Sequence, residues 1–237
     1  MFAADPRIEL YQTPYARSGS LHHRLAASAC LWFSDGIVID PDSRLTQLGL
    51  MRVCGTDRYS FFESRSFGGD TRERLPDLAA QWCGDIDARP YIAPAEITGT
   101  RADITVSLGT GDNPAKQLDH DFESRLMRVL AETGADVLVD LGASPQERAR
   151  VESVLQPNMR VHDGSFASFA AEIARSELYI GYDSAGGHVA SATGVPVISI
   201  ARGFLNERMA ARWRPLGTII DGDGPDPLEA VRTALPQ

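Results

Sequence analysis

Two glycine-bearing loops, each directly after an apolar run, carry the residue types best suited to binding an anion. The loop at residues 109–116 ends on a lysine, a flexible point charge that can reach phosphate oxygens. The loop at residues 183–188 opens a helix of small residues. Backbone N–H groups at a helix start approach an anion closely, and the helix dipole favours negative charge there. Together the loops predict a phosphate site, most simply for the diphosphate of a nucleotide.

Each residue of these loops has a binding and a structural interpretation. Ser184 offers a hydroxyl and an N–H group, the glycines allow close approach, and Asp183 can accept a hydrogen bond from a sugar hydroxyl. Alternatively, Lys116 lies on an exposed loop, the glycines serve close packing of a strand against a helix, and His188 only supports the helix start. The predicted diphosphate and sugar contacts are Thr110, Lys116, Asp183, Ser184, Ala185, Gly186, Gly187 and His188.

Two further segments that follow apolar runs extend this candidate site. Glu147 can reach a sugar hydroxyl, or it is an ordinary acid in the first turn of a helix. His162 can flank a base, or it belongs to a plain turn. The possible nucleoside or sugar contacts are Gly142, Glu147, His162 and Gly164. Four arginines form a basic segment that either faces a phosphorylated acceptor or is a solvated helix face: Arg202, Arg208, Arg212 and Arg214.

The elements that position these loops alternate between strand and helix from about residue 103 onward. Apolar runs at 104–108, 136–141 and 195–200 predict strands buried on both faces, with helical segments between them. Right-handed crossovers then give an α/β, Rossmann-like doubly wound domain with a parallel sheet. Ligands of such sheets bind outside the carboxyl ends of the strands, so all the loops above should share one edge.

The beginning of the chain predicts a smaller, incomplete α/β unit over residues 1–90. A linker at 91–102, in a stretch with prolines at 90 and 94, separates it from the predicted nucleotide-sugar-binding domain at 103–237. The elements predicted in the smaller unit are helices at 21–32 and 71–82 and strands at 36–40 and 59–62.

Composition limits the classes of partner. The 237 residues carry a net charge of −9, which argues against nucleic acid as a ligand. Three widely spaced cysteines and the absence of metal-binding motifs indicate neither a disulfide framework nor a metal or cofactor site. The apolar stretch at 25–33 is shorter than the roughly 20 residues of a membrane span. Without a secretory signal, the prediction is a cytoplasmic protein with at most peripheral membrane contact; the sequence does not define its oligomeric state.

In their order along the chain, the segments 106–116, 174–190 and 193–197 resemble glycosyltransferase family 9, the lipopolysaccharide heptosyltransferases and their relatives of two-domain GT-B fold. The resemblance covers roughly residues 100 to 220. It implies that Lys116 and the backbone around Ser184 hold the donor diphosphate, that Asp183 meets the donor sugar and that His188 supports the turn.

The resemblance further implies a nucleoside diphosphate sugar as donor, with ADP-heptose the best-known example, and a glycan or lipid-linked acceptor. Transfer in the family inverts the anomeric centre and needs no metal. The family's opening strand and its Gly-Asp loop, which supplies the base, have no counterpart here. The chain is therefore expected to lack the start of the amino-terminal domain. Asp70, which follows Gly68 and Gly69 but precedes a helix, is the candidate base.

The predicted function is thus an inverting glycosyltransferase. A nucleotide- or sugar-binding protein without turnover, a truncated transferase fragment, and a sugar-nucleotide epimerase on the same fold are the alternatives.

Overall fold

The computed structural model describes residues 5–9, 35–40, 57–62, 68–111, 113–204 and 206–236. The chain divides into two compact units, one formed by Arg7–Ala88 and the other by Met1–Pro6 with Arg89–Gln237. The helix predicted at 21–32 lies outside the described residues. None of the helices in the described ranges is both long and apolar enough to cross a lipid bilayer.

The smaller unit contains two short parallel strands and one helix among its described residues. Strands β1 (Val38–Asp40) and β2 (Tyr59–Phe61) lie where the sequence predicts strands, and they pair with each other. Helix α1 (Leu75–Cys83) has a proline in its first turn, where proline is tolerated, and ends at Gly84 with φ of 75°. The helix therefore begins four residues later than predicted.

The larger unit is built on six parallel strands, which confirms the predicted α/β doubly wound sheet. The strands are β3 (Ile104–Ser107), β4 (Val137–Asp140), β5 (Arg160–His162), β6 (Leu178–Tyr182), β7 (Val197–Ala201) and β8 (Thr218–Asp221). They are arranged in the order β5-β4-β3-β6-β7-β8. The direction of winding therefore reverses between β3 and β6, which is where doubly wound sheets open a ligand-binding crevice.

Helices follow the strands at the predicted places, and five of the six that the structure describes in this unit begin with a side-chain cap. They are α2 (His120–Glu132), α3 (Pro145–Glu152), α4 (Phe166–Arg175), α5 (Ala185–Thr193), α6 (Glu207–Trp213) and α7 (Pro227–Ala234). The capping side chains, each accepting from the backbone N–H three residues on, are Asp119, Ser144, Ser165, Asn206 and Asp226. A short 3₁₀ turn, Pro114–Lys116, precedes α2.

Strand β6 shows how the sequence covers both faces of the sheet. Leu178, Ile180 and Tyr182 belong to one apolar core, together with residues of α2, α3 and α7. Tyr179, pointing to the opposite face, belongs to a second core with residues of α4 and α5. Because side chains of a strand alternate between faces, a continuous apolar run supplies both cores. The strand is fixed at the centre of the sheet, and its carboxyl end delivers Asp183 to the crevice.

Candidate functional site

The two predicted anion-binding loops meet at the carboxyl edge of the sheet, between β3 and β6. The Nζ of Lys116 donates hydrogen bonds to Oδ2 of Asp183 at 2.6 Å and to its backbone oxygen at 2.8 Å. The Asp183 side chain is 5% exposed and the Lys116 side chain 22% exposed, so the pair is largely shielded from water. The structure thus joins in one ion pair the residue predicted to bind diphosphate and the residue predicted to meet the sugar.

Lys116 is the only lysine of the chain, because every other member of its 23 Lys and Arg residues is an arginine. Lysine presents a compact charge on a flexible stem, whereas arginine presents a rigid planar fork. The Nζ also lies 5.8 Å from the centre of the Phe204 ring, within the range of a cation–π contact. This compositional feature is visible in the sequence and singles out position 116 among the basic residues.

Helix α5 starts beside this ion pair without a side-chain cap. Its N-cap residue, Ser184, makes no side-chain hydrogen bond to the first turn, unlike the N-cap residues of the other described helices of this unit. The first N–H groups of a helix have no partner within the helix. The start of α5 therefore presents donors and a positive dipole end to whatever lies next to Lys116.

The two glycines of α5 differ in what they accommodate. A Cβ at Gly186 would lie 2.3 Å from the hydroxyl oxygen of Tyr179, whereas a Cβ at Gly187 would have its nearest neighbour, Pro215 Cγ, at 3.4 Å. Tyr179 is completely buried, and burial raises the pKa of its hydroxyl to about 12. The structural interpretation of these glycines, close strand–helix packing, therefore accounts for Gly186. At Gly187 the surrounding atoms leave room for a Cβ, so close packing does not account for that glycine.

The remaining predicted diphosphate contacts lie in the same two loops. Thr110 is half-buried after β3, Ala185 is exposed, and His188 is half-buried in the first turn of α5. The loop after β7 packs against the 3₁₀ turn, since a Cβ at Gly203 (φ 72°) would lie 2.7 Å from the backbone oxygen of Ala115. Three loops thus converge around Lys116.

A buried polar network, not predicted from the sequence, holds both ends of the lysine loop. The hydroxyl of Tyr182 accepts from the backbone N–H of Leu118 at 3.1 Å and donates to Oε1 of Glu123 at 2.9 Å. Arg150 forms an ion pair with the same carboxylate and donates to the backbone oxygen of Leu108 at 2.7 Å. Burial raises the pKa of Glu123, and the charge of Arg150 opposes that shift. Lys116 is therefore carried on a loop anchored before and after it.

Among the predicted nucleoside contacts, Glu147 lies between the loops that follow β3 and β4. A Cβ at Gly142 would lie 2.3 Å from Glu147 Cδ, and one at Gly109 would lie 2.8 Å from its Oε1. Its Oε2 accepts from the backbone N–H of Ala143 at 3.0 Å. Gly142 has φ of 82°, a conformation that favours glycine. The carboxylate is thus placed at the binding edge, with one oxygen held by its own loop.

The other two predicted nucleoside contacts belong to a chain of side-chain hydrogen bonds. The His162 Nδ1 lies 3.0 Å from Oδ1 of Asp140, and its Nε2 lies 2.9 Å from Oγ of Ser168. Burial raises the pKa of Asp140, and the hydrogen bond from His162 opposes the shift. A Cβ at Gly164 would lie 2.8 Å from Ser168 Oγ. Both ring nitrogens of His162 therefore already have protein partners, and its contact with a nucleoside stays a prediction.

The basic segment belongs to the larger unit and the candidate base to the smaller one. Arg202 bonds to Asp223 at 2.7 Å and to the backbone oxygen of Gln117 at 3.1 Å, and Arg212 is buried at 3% exposure. Burial, with the charge of Arg208, lowers the pKa of Arg212. Asp70 lies exposed in the smaller unit, within a turn in which the N–H of Thr71 donates to the oxygen of Gly68 at 3.0 Å. Within the described residues, no group of three His, Cys, Asp or Glu side chains is arranged to hold a metal ion.

Comparison with known proteins gives a family match for most of the chain. Residues 57–217 match the family described as glycosyltransferase family 9 (heptosyltransferase). No curated protein matches the chain in sequence.

Solved structures share the fold at low sequence identity. The E. coli heptosyltransferase WaaC with ADP-2-deoxy-2-fluoro heptose has a TM-score of 0.61 and 14% identity, covering 90% of this chain and 75% of that chain. The glycosyl transferase family 9 protein from Veillonella parvula DSM 2008 has a TM-score of 0.60 and 15% identity, covering 85% and 67%.

The structure of E. coli WaaC with ADP has a TM-score of 0.51 and 16% identity, and covers 67% of this chain. The present chain spans 53%, about half, of that protein. These likenesses confirm the predicted fold class.

Proposed function

Because this chain belongs to glycosyltransferase family 9, we propose that it transfers a sugar from a nucleoside diphosphate sugar to a hydroxyl group of a glycan or lipid-linked acceptor. The observation that supports this most directly is the Lys116–Asp183 ion pair beside the uncapped start of α5. Among nucleotides we propose ADP, since the similar fold of WaaC has been solved with ADP and with an ADP-linked sugar. We assign the reaction to the cytoplasm.

Charge is the reason that this arrangement suits a diphosphate. Asp183 neutralises Lys116 in the structure described here. An arriving diphosphate competes with that carboxylate for the ammonium group, and the N–H groups of α5 bind its remaining oxygens. Asp183 is then available to accept a hydrogen bond from a sugar hydroxyl. As the glycosidic bond breaks, negative charge grows on the diphosphate, and these same donors stabilise it in the transition state.

Inverting transfer also needs a base that removes the proton of the acceptor hydroxyl. Asp70 is the candidate that the sequence offers, on the exposed turn before α1. The substitution Asp70→Asn tests this role: if Asp70 is the base, transfer is lost while donor affinity is kept. If transfer persists, another group removes the proton.

The presence of a single lysine makes a sharp test of donor binding possible. Reductive methylation with ¹³C-formaldehyde labels Lys116 and the terminal amine and keeps the positive charge. On addition of ADP, we expect the Lys116 resonance to shift and the terminal amine resonance to stay. The variant Lys116→Arg identifies the signal, because it removes the lysine resonance alone.

Calorimetry with ADP, UDP and GDP measures the affinity itself. If none of these nucleotides binds, the proposed function is wrong, and so is the alternative of a nucleotide-binding protein. If ADP binds, release of ADP from an ADP-sugar in the presence of acceptor distinguishes transfer from binding without turnover. Isomerisation of the donor sugar without any acceptor would instead identify an epimerase.

A further inference from the structure

A pocket of about 240 Å³ opens next to Asp183, between strands β7 and β8 and helix α6. Ser199 of β7 and Ile219 of β8 are register partners in the sheet, and both line it. Ala210 and Ala211 of α6 form the opposite wall. A cavity of about 150 Å³ is enough to hold benzene, a six-membered ring. The pocket therefore has room for one pyranose ring with a small substituent.

The lining of this pocket is mainly apolar. Its polar residues are Asp183, Ser199 and Arg214, of which Asp183 is bonded to Lys116 and Arg214 is exposed to solvent. Ser199 is 1% exposed and is the polar side chain that strand β7 contributes to the pocket. The six other lining residues are Ala201, Phe204, Ala210, Ala211, Pro215 and Ile219.

The strand order indicates which part of the donor reaches this pocket. The predicted nucleoside contacts follow β4 and β5, the predicted diphosphate contacts follow β3 and β6, and the pocket lies at β7 and β8. A donor whose diphosphate binds at Lys116 and whose nucleoside extends over β4 and β5 therefore directs its sugar towards β7. This step rests on the proposed function.

We propose that the pocket binds the donor sugar and that this sugar is a deoxyhexose, with a methyl group where an ordinary hexose has a hydroxymethyl group. Asp183 and Ser199 can each bond a ring hydroxyl, and the alanine, proline and isoleucine side chains match a methyl group. A hexose or heptose side chain brings one or more further hydroxyls against these apolar walls. A hydroxyl that is buried there loses its bonds to water without gaining partners.

The test compares two donors that differ by a single hydroxyl, ADP-glucose and ADP-6-deoxyglucose, with bare ADP and ADP-heptose as references. We expect the deoxy donor to bind about a hundredfold more tightly than its hydroxylated partner, the usual scale for one hydroxyl in an apolar pocket. Calorimetry measures this without an acceptor. If another nucleoside diphosphate binds better than ADP, the same pair is made on that nucleotide.

The variant Ala210→Leu tests whether this pocket discriminates between the two donors, because it adds bulk to the α6 wall of the pocket and leaves Lys116 and α5 unsubstituted. We expect it to weaken binding of the deoxy donor at least tenfold and to leave bare ADP unchanged. The matched control is Ala149→Leu, the same substitution on the exposed surface of α3. It should change neither affinity.

The possible results distinguish the identity of the sugar, its location and the proposed function from one another. Equal affinities for the two donors, or tighter binding of ADP-glucose or ADP-heptose, would overturn the deoxyhexose assignment while leaving the proposed function intact. An unchanged deoxy-donor affinity in Ala210→Leu would overturn the location. Failure of every nucleotide to bind would instead remove the proposed function, and this inference with it.

Discussion

The hydroxyl oxygen of Tyr179 lies 2.3 Å from the point that a Cβ at Gly186 would occupy. The same hydroxyl lies 2.6 Å from the corresponding point at Gly181, so this buried tyrosine needs glycine on both the strand and the helix. The tyrosine ring packs against the backbone of α5 at Gly186. The glycine at 186 is thus required by packing inside the protein, independently of any ligand above the helix.

The substitution Gly186→Ala should therefore destabilise the protein by about 1–3 kcal/mol, the usual cost of overpacking a core. Gly187→Ala is the matched control in the same helix turn, because its Cβ would be 3.4 Å from the nearest atom. Alanine is favoured over glycine inside helices by roughly 1 kcal/mol, so this control should be neutral or stabilising. Urea denaturation of both variants measures the difference. Equal destabilisation would contradict the packing argument.

The hydroxyl of Tyr182 connects the lysine loop to the buried carboxylate of Glu123. Tyr182→Phe leaves the N–H of Leu118 without this acceptor and Glu123 without this donor. We expect a loss of about 1–3 kcal/mol in the free energy of unfolding, and weaker ADP binding because the loop is less well held. Tyr91→Phe is the control, since it also removes a hydroxyl that bonds a carboxylate, that of Asp5, but on a side chain that is 53% exposed. A Tyr182→Phe protein as stable as this control would exclude an anchoring role.

The raised pKa of Glu123 predicts a pH dependence of stability. Burial, as the largest cause, raises its pKa above the ordinary 4.5, against the opposing effects of Arg150, Tyr182 and His120. Between pH 4.5 and the raised pKa of Glu123, this carboxyl binds more protons in the folded chain than in the unfolded chain. The free energy of unfolding therefore decreases as pH rises through that range. Below pH 4.5 the penalty is absent.

Comparison with Glu123→Gln isolates this contribution, because glutamine does not titrate. The free energy of unfolding of Glu123→Gln minus that of the natural protein should increase from pH 4.5 to pH 7. Other groups with raised pKa, such as Asp140, are present in both proteins and cancel. Urea denaturation at four pH values measures the trend. A constant difference would mean that Glu123 does not titrate in this range.

The sheet could be predicted because its four central strands, β4, β3, β6 and β7, are buried on both faces and therefore contain continuous apolar runs. The meeting of Lys116 with Asp183 also followed from topology, since both loops leave the carboxyl ends of neighbouring strands. What the sequence did not indicate is the pairing of polar side chains buried inside the core. The bond between Tyr182 and Glu123 joins residues 59 positions apart, and periodicity contains no information on such contacts. In the same way, the sequence does not show whether a glycine allows a ligand to approach or, as at Gly186, makes room for a buried tyrosine.

Substitutions in the Lys116–Asp183 ion pair can separate the effect of charge on ADP binding from its effect on stability. Lys116→Met removes the cation and should weaken ADP binding by about 1.5–3 kcal/mol, the scale of a hydrogen bond to a charged group. It also leaves the buried carboxylate of Asp183 unpaired, which destabilises the fold. Asp183→Asn instead frees the lysine from its competitor, so bare ADP should bind as tightly as before or several-fold more tightly.

The double variant Lys116→Met with Asp183→Asn distinguishes loss of binding from loss of structure. With neither charge present, we expect thermal stability to recover towards that of the natural protein, because no buried ion is left unpaired. ADP affinity should stay as low as in Lys116→Met, because the cation is still missing. If ADP affinity recovers together with stability, Lys116 contributes only to the fold, and the diphosphate is held by other groups.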